Sequence, residues 1–479
     1  MALAEMGNSK LHLLFLPYFT PSHMIPQVNA ARIFASHGLK VTIIATPANA
    51  DLFQSSIDED TKLGHDISIH IIPFPADEVG LPNGVENFNA ATSIEMLGKL
   101  MKALFMLQKP IEDLILKINP HCLFSDRLFP WTIDVTEKLK IPRFSSTTSI
   151  FHHCVKHSLE THLPHRNIGS ETESFFLPGL PDKIELKKCQ IEDYGQNSFG
   201  DIIERTRDAD RRSHGMIYDT FFELEPGYAE YMEKATGKQS WSIGPLFLFS
   251  DQLGKRDVDI KHSCLDWLDT QEQSKVLYIC FGSLAKFPEA QLKEIALAIE
   301  SSDCPFIWVV RNQENEQDWF PKGFEEKMIK SGKGLIIKKW APQLKILNHP
   351  SIGGFMTHSG WNSVLESVSA GVPMITWPLF SEQFYNDKFV GAMEFGVRVG
   401  VEKVNVVPVM ITTPLVESKQ IQEAIQKLMC KSGKSERIRE KVKEMAAMAK
   451  AAVEEGGSSY ENVKALIQVI KASAFGEKN

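Results

Sequence analysis

The sequence predicts an α/β protein built from two doubly wound domains of similar size. A nearly continuous apolar run starts at Leu11, and a helical segment and a second apolar run from Lys40 follow it. Such runs are typical of strands buried on both faces of a parallel sheet. The same succession begins again near Lys275. The length of 479 residues also exceeds the size at which a single core keeps growing.

The first half of the chain predicts a βαβ unit and further strands. The run LHLLFLPYF ends in TPSH, and we expect the next helix to hold Pro26 in its first turn and to end at Gly38. Strands are also predicted in DISIHIIPFP, from Asp66, and in HCLFSD, from His121. Between them lies a long helical stretch that we expect Pro110 to interrupt.

The second half supplies its own strand series and a helical end. KVLYICFGS, PFIWVV, GLIIKKW, GGFMTH and PMITWP are short apolar runs separated by helical segments, and two helices divided by Gly456 and Gly457 follow. Around 247–262 the periodicity lapses and charge rises, which indicates a linker. We therefore expect an N-terminal domain over 1–246, a second domain over 263–455, and a C-terminal helix within 456–479 that packs back on the first.

Composition excludes several classes of protein. With 43% hydrophobic and 23% charged residues the chain is ordinary for a soluble protein, and a net charge of −8 argues against a nucleic-acid partner. The seven cysteines form no CxxC pair, which suits a reducing compartment. No apolar run is long enough to span a bilayer. We expect a cytoplasmic monomer without a transmembrane segment.

The segment THSGWNSVLES carries the most polar chemistry. It places a helix N-terminus at the carboxyl end of a strand, where unpaired N–H groups and the positive end of the helix dipole favour an anion. His358 and Ser363 add donors for a phosphate. Asn362 and Glu366 share one helix face, so Glu366 could accept hydrogen bonds from a ribose diol.

The surrounding segment identifies a family. From Trp340 to Gln383 the chain reads WAPQLKILNHPSIGGFMTHSGWNSVLESVSAGVPMITWPLFSEQ. This stretch closely resembles the signature of plant secondary-product glycosyltransferases, which are UDP-sugar-dependent family 1 enzymes. The resemblance implies the GT-B fold, in which two Rossmann-like α/β domains face a cleft. It also implies a UDP-sugar co-substrate and no cofactor.

The resemblance assigns a role to each matching residue of the donor site. Trp340 stacks on uracil, while the Ala341 backbone and Gln343 hold the uridine. Glu366 binds the ribose hydroxyls. The remaining residues contact the diphosphate (Ser283, His358, Asn362 and Ser363) or the sugar (Trp361, Glu382 and Gln383).

The N-terminal half resembles the family more loosely. His23 matches the catalytic base, and Asp126 in FSDRLFPW matches the acid that orients it. The implied reaction is inverting: His23 deprotonates an acceptor hydroxyl, which attacks the anomeric carbon and gives a β-glycoside. We find no DxD-like acidic cluster placed to hold a divalent ion, and we expect metal independence.

Three positions depart from the family pattern. Ser22 replaces the usual glycine, Ser359 the usual cysteine and Glu382 the usual aspartate. Glu382 keeps the carboxylate, whereas Ser22 alters the loop before the base. Gln383 is the residue that the family associates with UDP-glucose, although UDP-galactose, UDP-xylose and UDP-glucuronic acid remain alternatives.

The acceptor and the competing functions stay open at this point. The N-terminal half most resembles the branch of the family that acts on triterpenoid saponins and flavonoids, and the 29 Phe and 16 Met of the chain favour a small hydrophobic acceptor. We expect a triterpenoid sapogenin or saponin first and a flavonoid or other phenolic second. A catalytically silent sugar-nucleotide binder would lack His23 or Asp126. A nicotinamide-dependent oxidoreductase is disfavoured because no GxGxxG follows the first strand. A metal site at His152, His153, Cys154 and His157 would have an incomplete ligand set.

Overall fold

The computed structural model of the chain describes residues 10–191, 198–253, 262–310, 321–405, 411 and 414–475. These residues form two compact units. Unit 1 comprises the described residues of Met1–Ser149, Tyr194–Asp257 and Ala451–Asn479, and unit 2 those of Ile150–Asp193 and Val258–Lys450.

Within the described residues the strands are β1 (His12–Leu16), β2 (Lys40–Ala45), β3 (Ile67–Ile71), β4 (Cys122–Asp126), β5 (Arg143–Thr147), β6 (Ser174–Phe176), β7 (Glu185–Lys187), β8 (Gly215–Tyr218), β9 (Ser240–Ser242), β10 (Val276–Cys280), β11 (Phe306–Val309), β12 (Gly334–Ile337), β13 (Ile352–Thr357), β14 (Met374–Thr376) and β15 (Gly396–Arg398). The helices are α1 (Pro21–Ser36), α2 (Pro47–Ala50), α3 (Gln54–Lys62), α4 (Ala76–Val79), α5 (Ile94–Met106), α6 (Gln108–Ile118), α7 (Thr132–Leu139), α8 (Ile150–His162), α9 (Ser198–Arg212), α10 (Pro226–Thr236), α11 (Leu246–Leu253), α12 (Ser263–Asp269), α13 (Glu289–Ser301), α14 (Phe324–Lys330), α15 (Gln343–Leu347), α16 (Trp361–Ser369), α17 (Gln383–Ala392), α18 (Ser418–Met429), α19 (Gly433–Val453) and α20 (Ser458–Phe475).

Unit 1 is built on a seven-stranded sheet with the order β3-β2-β1-β4-β5-β8-β9. All of its neighbouring strands pair in parallel. The apolar runs of β1, β2 and β4 are buried, as their composition predicts. Strands β2 and β3 lie on one side of β1, and β4 lies on the other. Because β1 and β4 are parallel neighbours, their carboxyl ends lie side by side.

Helix α1 begins earlier than the sequence suggested. Its first residue is Pro21, so Pro26 lies inside the helix and not in its first turn. A proline is well placed at the first helical position because its missing N–H is one that the helix leaves unpaired. The consequence for the site is that His23 lies on the first turn of α1 and not in a loop.

Other elements of unit 1 refine the sequence-based boundaries. The long helical stretch divides at Leu107, and Pro110 occupies the first turn of α6, where a proline is tolerated. The segment interpreted as a linker begins with helix α11, and residues 254–261 lie outside the described part. Helix α20 packs on β9: Ser459 Oγ donates to the Gly244 carbonyl and Asn462 Nδ2 donates to Ser242 over 2.9 Å.

Unit 2 contains a six-stranded sheet with the order β12-β11-β10-β13-β14-β15, again with parallel pairs throughout. Helix α8 and the hairpin of β6 and β7 also belong to this unit. The ring of Phe151 on α8 lies 5.1 Å from that of Phe389 on α17. These two parallel sheets confirm the predicted α/β class. Among the described helices, none has the length and apolar character that crossing a membrane requires.

Candidate functional site

The first pair of predicted site residues meets at the carboxyl edge of the sheet of unit 1. Nδ1 of His23, on α1, lies 2.8 Å from Oδ2 of Asp126, the last residue of β4. An ionised carboxylate only accepts hydrogen bonds, so Nδ1 carries the proton and Nε2 is the basic nitrogen. The side chain of His23 is 32% exposed and that of Asp126 only 2%. The imidazole is therefore accessible while its partner is closed off from water.

Two further donors fix the carboxylate of Asp126. Nε2 of Gln27 donates to Oδ2 over 3.0 Å, and the backbone N–H of Leu128 donates to Oδ1 over 2.9 Å. Nη2 of Arg143 also reaches the backbone carbonyl of Asp126 at 3.5 Å. Because both carboxylate oxygens have partners, the carboxylate plane is set before any substrate binds.

The aromatic ring of Tyr18 lies beside the imidazole. The ring of Tyr18 lies 5.6 Å from that of His23 and stacks on Phe88 at 5.7 Å. Burial, and secondarily the charge of Asp126, raises the pKa of Tyr18, so its phenol stays neutral. Tyr18 also lines a small cavity of about 50 Å³. Its largest apolar lining residues are Met101, Leu104, Phe105, Leu128, Phe129 and Trp131.

The second group of predicted residues lies at the topological switch point of unit 2. Strands β11 and β12 lie on one side of β10, and β13, β14 and β15 lie on the other. Open α/β sheets bind ligands outside the carboxyl ends of their strands at such a point. Ser283 follows β10, and His358 directly follows β13. The loops that carry them therefore flank the expected ligand position.

Two glycines form a close-fitting cradle for the His358 ring. A Cβ added at Gly282 would lie 2.8 Å from ring atoms Cε1 and Nε2, and one at Gly360 would lie 2.7 Å from Nε2. Burial lowers the pKa of His358 to about 4. The imidazole is therefore neutral near pH 7 and can offer one N–H donor at the N-terminus of α16.

The residue after His358 has an unusual backbone conformation. Ser359 is fully buried and has φ of 66°, in the left-handed region of backbone conformation that residues other than glycine rarely adopt. Its carbonyl accepts a hydrogen bond of 2.9 Å from Nδ2 of Asn386. This bond helps to hold the turn between β13 and α16.

Gln343 connects three side chains of the donor site. Its Nε2 donates to Oε2 of Glu366 over 2.7 Å and lies 3.5 Å from Oγ of Ser363. Its Oε1 accepts from the hydroxyl of Tyr278 over 3.2 Å. The structure thus brings together Gln343 at the start of α15 and two residues of α16. One oxygen of Glu366 is held by this amide, which fixes the direction of the carboxylate.

The predicted tryptophans occupy different environments. The indole of Trp340 is 56% exposed and free to stack on a planar base, while Ala341 is buried. Trp361 is only 2% exposed, and its ring lies 5.8 Å from that of Phe389. The indole of Trp361 is therefore packed in the core of unit 2.

The remaining predicted residues lie at helix starts. Glu382 precedes α17, and Gln383 is its first residue. Oε1 of Gln383 accepts from the backbone N–H groups of Leu379 and Phe380, at 2.9 and 3.2 Å. The amide orientation is therefore fixed, with Nε2 pointing away as a donor. Asn362 is partly exposed on the first turn of α16, one turn before Glu366.

Sequence reasoning missed two side chains of the site. Gln27, which binds Asp126, lies four residues after His23 on the same helix, and that spacing could have indicated it. Tyr278, which binds Gln343, lies inside the buried run of β10 and gave no signal of its own.

The alternative metal ligands lie on or next to a packed helix face. His152, His153 and Cys154 are buried on α8, which packs against α17. The rings of His152 and Tyr385 lie 5.8 Å apart. Throughout the described ranges, no group of three or more His, Cys, Asp or Glu side chains is placed to hold a metal ion.

Comparisons with known proteins show the family of the chain. Residues 254–429 match the family described as UDP-glucoronosyl and UDP-glucosyl transferase. The chain is 49% identical over 485 residues to nuatigenin 3-beta-glucosyltransferase of Solanum aculeatissimum, with 98% of both chains covered. It is 46% identical to solanidine UDP-glucose glucosyltransferase 1 of Solanum tuberosum, covering 98% of this chain and 99% of that protein.

A solved structure is similar over nearly the whole chain. The crystal structure of Glycyrrhiza uralensis UGT73P12 with glycyrrhetinic acid 3-O-monoglucuronide matches with a TM-score of 0.91 and 38% identity, covering 98% of this chain and 97% of that one. The two parallel-sheet α/β units are those of a GT-B glycosyltransferase, as the sequence predicted. The chain belongs to the plant family 1 UDP-dependent glycosyltransferases, and it is an enzyme that uses a UDP-sugar donor.

Proposed function

We propose that this enzyme is an inverting O-glucosyltransferase that transfers glucose from UDP-glucose to a hydroxyl or carboxyl of a hydrophobic plant metabolite. We propose a triterpenoid sapogenin or saponin as the acceptor. The observation that carries the mechanism is the hydrogen bond of 2.8 Å between His23 and Asp126. It assigns the proton to Nδ1 and makes Nε2 of a partly exposed imidazole available as a base.

The reaction follows from this base. Nε2 of His23 takes the proton of the acceptor hydroxyl as the oxygen attacks the anomeric carbon, and Asp126 stabilises the imidazolium that forms. A new bond joins the acceptor oxygen to the anomeric carbon, while the bond from that carbon to the diphosphate oxygen breaks. UDP leaves with the electron pair. Attack opposite the leaving group turns an α-linked sugar into a β-glycoside.

The charge of the departing diphosphate would be met at the start of α16. The helix N-terminus, the neutral imidazole of His358, the amide of Asn362 and the hydroxyls of Ser363 and Ser283 supply donors there. We therefore propose that transfer needs no divalent metal ion. EDTA should leave the rate unchanged, whereas loss of activity with EDTA and recovery with manganese would contradict the proposal.

The other residues of unit 2 would recognise the nucleoside and the sugar. Trp340 would stack on uracil with Ala341 and Gln343 beside it, and Glu366 would accept from the ribose hydroxyls. The backbone of Trp361 and the side chains of Glu382 and Gln383 would contact the sugar. Gln383 supports glucose as the preferred sugar because the family pattern associates a glutamine at this position with UDP-glucose, and the backbone already holds Oε1 of its amide.

The surroundings of His23 support an apolar acceptor. The ring of Tyr18 beside the imidazole and the cavity that Tyr18 lines would favour burial of hydrocarbon. At about 50 Å³ this cavity would take a methyl-sized projection of the acceptor and not its ring system. Other similar enzymes are named for scopoletin, flavonoid, soyasapogenol B glucuronide and anthocyanin acceptors. The two Solanum relatives described above are named for nuatigenin and solanidine, which supports a hydrophobic plant metabolite as the acceptor.

One assay separates the candidates. The purified chain is incubated with UDP-glucose, UDP-galactose, UDP-xylose or UDP-glucuronic acid, each against a triterpenoid sapogenin and a flavonol. Product mass identifies the donor and acceptor, and the proton coupling at the anomeric carbon gives the configuration. We expect a hexose added to the sapogenin with β configuration. A flavonol product alone would favour the phenolic alternative, and an α-glycoside would contradict inversion.

A further inference from the structure

We propose that Gln27 is a positioning residue that tunes the basicity of His23 through the carboxylate that both residues share. The inference rests on the proposed function, because it requires His23 to be the base of the transfer reaction. It adds a third member to the pair, at a position that the signature of the C-terminal half does not cover.

Gln27 and His23 both contact the same carboxylate oxygen of Asp126. Both residues lie on α1, one helical turn apart, so their side chains project from the same face. Nδ1 of His23 and Nε2 of Gln27 contact the same atom, Oδ2 of Asp126, at 2.8 and 3.0 Å. Gln27 is 4% exposed and Asp126 2%, so water does not screen this contact.

The orientation of the Gln27 amide follows from its partner. An ionised carboxylate repels the amide oxygen, so Nε2 must face Asp126 and Oε1 must point away from it. That oxygen is buried and has no hydrogen-bond partner among the residues that the structure describes. Leaving a buried acceptor unpaired is unfavourable. An apolar side chain of similar size would fill the same space without this unfavourable contribution. The hydrogen bond from Nε2 to Asp126 explains why an amide occupies this buried position.

A second donor on Oδ2 has a definite electrostatic effect. The amide N–H withdraws electron density from the oxygen that faces the imidazole, so the carboxylate stabilises the imidazolium less than it would alone. His23 therefore releases its proton at a lower pH and remains a neutral base over a wider range. Among the described residues, Tyr18, Arg127 and Arg143 also interact electrostatically with Asp126.

Replacement of Gln27 by methionine tests the proposal with little change in volume. In Gln27→Met, Oδ2 of Asp126 keeps its hydrogen bond with His23 but loses the one from Gln27. The carboxylate then stabilises the imidazolium of His23 more strongly than in the parent enzyme. We expect the acidic limb of the kcat/KM profile to move up by about half to one pH unit, and kcat at the plateau to fall about threefold to tenfold as the carboxylate loses one anchor. The KM for UDP-glucose should not change. The matched control is Ile33→Val, a buried change on the same helix six residues after Gln27.

A second variant covers the case in which Gln27→Met folds poorly. In Gln27→Glu the protonated carboxyl can still donate to Asp126, but the ionised form cannot and repels it. Activity should approach that of the parent enzyme at low pH and be lost as pH rises, so the alkaline limb moves down. The proposal is overturned if both variants keep the pH profile of the parent enzyme. Full activity of His23→Ala would instead overturn the proposed function, which separates the two failures.

Discussion

Gly282 and His358 are in such close contact that the glycine has no room for a side chain. A Cβ at Gly282 would lie 2.8 Å from two atoms of the imidazole, and the residue also has φ of 77°. Gly282→Ala should therefore displace the ring from the N-terminus of α16. Because small misplacements of a binding group reduce rates strongly, we expect kcat/KM for UDP-glucose to fall about 10-fold to 100-fold.

The control for this substitution is Gly332→Ala. Gly332 has φ of 66° but nothing within 4 Å of an added Cβ, so it introduces the same kind of backbone strain without a clash. We expect it to lower stability by about 1–2 kcal/mol and to leave UDP-glucose kinetics unchanged. Equal kinetic losses in both variants would attribute the effect to strain and contradict the role given to the cradle.

Gln343 should contribute to ground-state binding of the nucleotide. Gln343→Leu removes the donor that orients Glu366. If Glu366 binds the ribose in the ground state and the transition state alike, KM for UDP-glucose should rise about tenfold with kcat nearly unchanged. Steady-state kinetics at saturating acceptor measure both constants. Tyr278→Phe removes only the outer hydroxyl and serves as control, with an expected effect below about threefold. A fall in kcat without a change in KM would contradict this assignment.

Protonation of His358 should couple to donor binding. Burial lowers its pKa to about 4, and a bound diphosphate would raise it because opposite charges favour the protonated form. Binding would then take up protons, and affinity would rise as pH falls. We expect UDP-glucose to bind about threefold to tenfold more tightly at about pH 5.5 than at about pH 7.5. Calorimetry without acceptor measures this, and the esterified diphosphate of UDP-glucose does not itself titrate in that range.

The same titration of His358→Gln provides the control for this coupling. Glutamine keeps a donor but cannot gain a proton, so its affinity should not depend on pH. If the variant shows the same pH dependence as the parent protein, the proton is taken up elsewhere and His358 does not face the diphosphate.

The buried ion pair of Arg32 and Asp60 should matter for stability and not for the donor site. Nη2 of Arg32 donates to Oδ1 of Asp60 over 3.1 Å, and both side chains are almost fully buried. Arg32→Met leaves the carboxylate without its cation, and we expect a loss of about 3–5 kcal/mol in the free energy of unfolding. Urea unfolding measures it. Lys10→Met, which breaks an exposed pair with Asp66, should cost less than about 1 kcal/mol, and equal losses would contradict the argument.

Much of the fold was predictable because buried parallel strands carry a simple signal. The runs of β1, β2, β4, β10 and β13 are mostly apolar, and each was found where the sequence placed it. Strands β5, β8 and β9 were not recognised. They are short, and RFSST in β5 carries polar side chains that are satisfied only by tertiary neighbours, such as Ser145, whose Oγ donates to Asp210.

Site residues that belong to a sequence motif were predictable. Those that are recognised only by their tertiary contacts were not. The signature from Trp340 to Gln383 indicated the donor residues, and the structure brings Gln343, Ser363 and Glu366 into one network. His23 and Asp126 are 103 residues apart, so only resemblance paired them before the strand order placed their side chains together. The network through Tyr278 depends on the register of β10 and could not be read from spacing.

The most direct test of the account measures transfer and donor binding in the same preparation of His23→Ala. Removing the base should lower the rate of glucosyl transfer by about 10²- to 10⁴-fold, because the acceptor hydroxyl then has no proton acceptor. UDP binding, followed by calorimetry, should remain as in the parent enzyme, since the donor residues belong to unit 2. A variant that transfers glucose at the parent rate would contradict the central claim that His23, oriented by Asp126, is the catalytic base.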